Sequence, residues 1–433
     1  MDRRVFRLWG AAALLYLLLA WWSARPVQAR FLFPAADTLS LDPLYISESG
    51  QVVRIPGLDG TGFSEEMEPT ESGYLYPAGK DGLWGYVSAD GRWQIEPCYQ
   101  KAGPFCENRA QVALSENRMA CIDPQGQVLY TWSNALSFLS GDKRVGRYGD
   151  GIALRYQATG QPTVYLDFLD LQGQVIAAGI PVDAACLKPE LFFGDGDGAF
   201  YRETLCFSEG LLPASLNGKY GYLNSAGQWV IEPVYEAARP FSEGLAAVCR
   251  EGKYGYIDQS GNEVIPCRYE RAQPFREGLA AVKPAGGAEY AWQLVHPDGS
   301  AAFALEHRCF PAEIGPDTLV FHEGLCCARQ ADGWIYYDRA GTPVLTVDTW
   351  IAGPFRNGLA CVQDNQYACA YIDTQGNRVY QWDGSFVWEL NALMNQNARL
   401  LGQLFRGLLS LPPPQTPGPA VGRFYSLFPE SGF

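Results

Sequence analysis

Glu209, Glu243, Glu277 and Glu323 are the residues of this chain that most invite a chemical reading, because each stands in an F-x-E-G box. Carboxylates that converge on one pocket can act as general acid and base. The first three, however, are spaced 34 residues apart. One glutamate per copy, in the same slot, is expected to make a local cap or turn hydrogen bond; a ring of acids lining a channel is the other reading. Gly194-Asp195-Gly196-Asp197-Gly198 could begin a calcium loop. Such a loop needs further acids, and its twelfth position is Cys206. Of the three histidines, His296, His307 and His322, the last occupies the variable position of a box, where other copies carry Ser or Arg. An ordinary surface role is expected for it. Neither a zinc-protease helix motif, a nucleophile elbow nor a phosphate loop is present. No catalytic residue, metal ligand or cofactor is therefore assigned.

Aromatic residues offer a different chemistry. Trp93, Trp132, Trp229 and Trp382 lie near hairpin turns or on the following strand. Exposed there, they could stack on sugar rings or anchor peptide segments; the competing reading is a buried aromatic ladder.

The elements that would carry these residues come from a repeat. Residues 207–241 and 241–275 are close copies, and Phe207, Phe241 and Phe275 mark the period. Within each copy, GLAAV reads as a short buried strand. GKYGYID alternates aromatic and small residues, as a strand between two faces does. D-x-x-G closes a hairpin, with Asp capping its own amides and Gly accepting positive φ. The β-branched run that follows holds Pro233 or Pro266, which suggests a strand edge or end. Turn glycines at 50, 91, 126, 173, 227, 261, 299, 341 and 376 trace about nine units. The fold class expected is all-β, a tandem array of short antiparallel strands in units of about 34 residues. One such unit cannot bury both faces, so neighbours must stack.

Trp84-Gly85, Tyr220-Gly221 and Tyr254-Gly255, in units that go on to D-x-x-G (Asp258–Gly261) or I-x-P-x-Y (Ile95–Tyr99 and Ile231–Tyr235), resemble the bacterial WG-containing repeat family. The resemblance spans most of residues 40–386. Only Trp84-Gly85 is a literal WG, and Trp334 is followed by Ile335. The resemblance implies a β-repeat array and carries over no catalytic residue. A propeller-like ring is favoured over an open β-solenoid, since irregular unit lengths suit loops between blades.

The ends differ from the array. Residues 1–29 combine Arg3, Arg4 and Arg7, an apolar run Gly10–Trp22, and Val27-Gln28-Ala29. This is the make-up of a signal peptide, with an uncleaved anchor as the alternative. Export is expected in either case, to a secreted or cell-surface location, with the membrane touched only through this segment if it stays uncleaved. Residues 30–386 form the repeat domain, 387–411 an amphipathic C-terminal helix, and 412–433 a Pro/Gly-rich tail. The helix would pack on the array's edge or meet a partner or membrane surface.

The net charge is −14, and loss of residues 1–29, with four Arg and one Asp, takes it to about −17. That argues against nucleic acid and anionic lipid as partners, since both need a positive field. The twelve cysteines include Cys249, Cys326, Cys327 and Cys361 at strand positions where other copies carry Ala or Val. They are expected mostly as small buried thiols, with at most one or two disulfides. The functional expectation is an exported, non-catalytic binding or scaffold module for protein or cell-envelope glycan. The alternative is an envelope-associated enzyme with acids gathered at a propeller centre.

Overall fold

In the computed structural model, the described residues are 29–38, 42–62, 67–115, 118–133, 143–157, 161–187, 205–287, 291–305, 319–330, 333–364, 366 and 368–383. The signal or anchor segment, the C-terminal helix, the tail, Asp195, Asp197 and His307 lie outside them. Strand dominates, and among the described residues the one helical element is the 3-10 turn Ala184–Leu187.

Among the described residues the strands form eight antiparallel sheets, each a simple meander. One of these has seven strands, because Glu263–Ala272 runs on from one unit into the next. Counting it as two gives nine units: 32–53, 60–99, 101–133, 143–183, 212–235, 237–272, 271–304, 321–347 and 351–383. In unit 6 the strands are Ala237–Ala238, Leu245–Arg250, Lys253–Asp258 and Glu263–Ala272. The turn at Asp258–Gly261 is closed by the Gly261 amide donating to the Asp258 carbonyl at 2.9 Å. One Asp258 carboxylate oxygen also accepts from the Ser260 and Asn262 amides. Asp373 makes the same contacts with Gln375 and Asn377.

The aromatic–Gly pair has a steric cause. A Cβ on Gly85, Gly221 or Gly255 would sit 2.3, 2.3 or 2.5 Å from the carbonyl oxygen of Ile95, Ile231 or Ile265. The last strand bulges at this point: Trp84 faces Tyr99 but Tyr86 faces Ile95, so two residues are opposed by four. Pro97, Pro233 and Pro266 lie in or beside that bulge. They therefore stand within strands, where the loss of an amide is tolerated by the broken ladder, and not at strand ends.

The core repeats with the sequence. The buried hydroxyls of Tyr86, Tyr222, Tyr256 and Tyr336 donate to the carbonyls of Gly103, Arg239, Gln273 and Gly353, each 17 residues on. The same rings meet Phe105, Phe241, Phe275 and Phe355 with centroids 4.7–4.9 Å apart. Burial raises the pKa of all four tyrosines, so they stay protonated donors.

Units stack by a second rule. The turn glycine of each unit rests on the last strand of the unit before it: Gly227 on Ile180, Gly261 on Ile231, Gly299 on Ile265. For unit 1 the preceding strand is that of unit 9, where Gly50 rests on Val379. Units 1 and 9 also share one apolar cluster, in which Phe33 and Trp382 both contact Tyr371. The Tyr371 and Tyr380 hydroxyls donate to the Pro34 and Ala36 carbonyls at 2.9 and 3.0 Å. The order of contacts is thus cyclic.

Candidate functional site

Each F-x-E-G box is a two-residue hairpin turn that leads into a buried strand. Glu243 and Gly244 both have positive φ, 55° and 81°, and Ser242 pairs with Leu245 across the turn. Positive φ at both central positions is the turn type that matches strand twist, and it favours Gly at the second. The glutamate accepts the less favourable backbone because its side chain is needed.

That need corrects the expectation of a contact within the turn. The Glu243 carboxylate accepts the amides of Glu277 and Gly278, in the box of the next unit, at 2.6 and 2.8 Å. Glu209 accepts from Gly244, Glu277 from Gly324, and Glu323 from Asn357 and Gly358. Upstream, Glu68 accepts from Glu107, Glu107 from Gly151, and Asp150 from Gly210. These bonds run from unit 2 to unit 9 without a break. The Glu107 carboxyl is held above its ordinary value. Burial is the main cause, offset in part by the Gly151 amide, and Glu68 and Asp150 add repulsion.

The variable position of the box divides the array. Cys106, Gly149, Ser208 and Ser242 are small, and Arg276, His322 and Arg356 are large and basic. Ser208 and Ser242 donate to the carbonyls of Phe241 and Phe275 in the next box, at 2.7 and 2.6 Å. The basic residues instead line an open cavity of about 270 Å³ with Phe31, Met67 and Tyr74 of units 1 and 2. His322 is buried, contrary to the surface role expected, and its Nδ1 lies 3.3 Å from Arg276 Nη1. An arginine only donates, so Nδ1 accepts and the ring proton sits on Nε2. The sequence signal for this cluster was the change of residue type at one slot in three consecutive copies.

The four tryptophans are not brought to this cavity. Trp93, Trp132 and Trp229 are half-buried on the last strands of units 2, 3 and 5, each against its local core. Trp382, 1% exposed, is sealed in the seam between units 9 and 1 and has no face to offer a ligand. Among the described residues no group of three or more His, Cys, Asp or Glu is placed to hold a metal ion. The eleven described cysteines form no disulfide, and burial pushes the Cys121 and Cys249 thiols up to about 11.

Residues 84–115, 220–254 and 254–283 match the model of the WG containing repeat. No curated protein matches the chain in sequence. Among solved structures, the computationally designed Ika8 protein is similar at 14% identity and TM-score 0.41, over 76% of this chain and 98% of that one. BamB from Moraxella catarrhalis gives 12% identity and 0.41, over 65% and 87%. A eukaryotic initiation factor gives 9% identity and 0.49, over 82% and 96%. Likenesses at these values carry no functional conclusion. Three matched repeats, each holding its glycine against the bulged last strand, show that the chain carries WG-containing repeats.

Proposed function

We propose that the protein is an exported, non-catalytic binding or scaffold module whose nine units close into a propeller-like ring. Its partner is a protein or a cell-envelope glycan. The observation that carries this reading is the use made of the recurrent acids: Glu209, Glu243, Glu277 and Glu323 each hold the next unit's backbone. A carboxylate that accepts neighbouring amides is a positioning group, whereas an acid–base pair must face a reacting atom. Export rests on the composition of residues 1–29, and the Gly50–Val379 contact supports the closed ring.

The test is to express the full chain with its own N-terminus, fractionate the cells, and follow the protein and its cross-linked partners. The proposal expects it outside the cytoplasm, saturably bound to one protein or glycan, with Glu243→Gln binding as well as wild type. A cytoplasmic protein, or a turnover that Glu243→Gln abolishes without moving the Tm, would contradict it.

A further inference from the structure

The box that recurs along the chain is an internal control for its own departures. At its variable position, units 3 to 6 carry Cys106, Gly149, Ser208 and Ser242. Cys106, Ser208 and Ser242 donate to the next box's carbonyl, so their role is to tie one unit to another. Units 7 to 9 replace this small tie with Arg276, His322 and Arg356, and these three meet at one cavity. Stacking does not require the change, since the serines at the same slot suffice. In a chain of net charge −14, Arg276 and Arg356 bring two guanidinium groups to one cavity, and His322, accepting at Nδ1, adds a neutral ring N–H. Glu277 and Glu323 also reach the cavity, but their oxygens take up the amides of Gly324, Asn357 and Gly358. Asn357 adds one more polar residue, and the rest of the wall is apolar: Phe321 and Phe355, with Phe31 and Tyr74 meeting edge to face at 4.8 Å beside Met67.

We propose that this cavity binds a carboxylate carried on an apolar or aromatic group, with Arg276, His322 and Arg356 holding the anion and Phe31, Met67 and Tyr74 covering the apolar part. Guanidinium forks match a carboxylate in geometry as well as charge. A cavity of about 270 Å³ suits a ligand the size of one amino-acid residue or the end of a peptide chain. The inference deepens the binding-module reading and rests on it.

The test uses the full chain and four probes: N-acetylphenylalanine, its amide, and a five-residue peptide ending in phenylalanine with a free or an amidated C-terminus. Titration calorimetry is expected to show both acids binding at least tenfold more tightly than their amides. The double change Arg276→Ser with Arg356→Ser restores the residue that units 5 and 6 already carry, so folding should hold. It is expected to weaken both acids at least tenfold with the Tm unchanged. A peptide acid tighter than N-acetylphenylalanine identifies a chain end as the source, and equal affinities identify a small carboxylate. Acid and amide binding alike, no binding of either acid at millimolar concentration, or a double variant that binds as wild type would each overturn the proposal. If that variant still captures the partner found by cross-linking, the module reading stands and only this site falls.

Discussion

A methyl group placed on Gly50 would lie 2.5 Å from the carbonyl oxygen of Val379, more than three hundred residues along the chain. Every other turn glycine likewise meets the last strand of the unit before it, through a side chain at 2.4–3.4 Å. This places the two ends of the array in the relation of ordinary neighbours.

The WG glycine is expected to be the most sensitive position of each copy. Gly221→Ala would drive a Cβ to 2.3 Å from the Ile231 carbonyl oxygen, with the Glu232 and Pro233 backbone at 2.7 Å. A loss of about 3 kcal/mol is expected by overpacking. Gly244→Ala has open space around it and meets only the cost of positive φ, about 1–2 kcal/mol. Chemical denaturation of the two variants should rank them in that order.

For the glutamate links, Glu243→Gln keeps one acceptor oxygen but turns an NH₂ toward one of two amides. It should cost about 1 kcal/mol, and Glu243→Ala about 1–3 kcal/mol, both read from urea midpoints. Equal stability of all three proteins would show that the inter-unit bond contributes nothing.

Tyr256→Phe removes the 2.7 Å bond to the Gln273 carbonyl and leaves that oxygen without its buried donor. A loss of about 1–2 kcal/mol is expected. Tyr165→Phe, at an exposed ring, should change stability little, and the two together separate the repeated bond from the loss of a hydroxyl in general.

Acid should weaken the turns before the core. Side-chain and backbone donors at residue 262 hold the Asp258 carboxyl below its ordinary value, and Asn377 does the same for Asp373. The unfolded chain therefore binds these protons first. Stability is full above the ordinary aspartate range and falls as pH drops through the lowered values. Glu107, raised by burial, works in the opposite sense and favours the fold slightly as it protonates. The slope of stability against pH below about 4 should flatten in Asp258→Asn with Asp373→Asn. An unchanged slope would show that these carboxyls are not responsible for it.

The units were legible in sequence because their turn is local chemistry: at Asp123, Asp170, Asp258, Asp338 and Asp373 the aspartate and the turn glycine that closes on it lie three residues apart. What was misread depended on neighbours. Glu243 finds its amides 34 residues on, and a periodic sequence does not distinguish a contact within a copy from the same contact to the next. Trp382 belongs to the same strand type as the half-buried Trp93, yet it is sealed because unit 1 packs over it. His322 was read from the slot alone, but its burial comes from the boxes that meet around it.

The closed order of the units is tested most directly by one distance. Ser49 and Asn377 are exposed and flank the Gly50–Val379 contact, and spin labels carried there on non-natural amino acids leave the native thiols alone. A closed ring places the labelled backbones on neighbouring sheets, about 10–20 Å apart. An open stack of nine sheets at about 10 Å spacing would part them by roughly 80 Å. A single short distance is the result expected, and a long or absent dipolar coupling would contradict the ring.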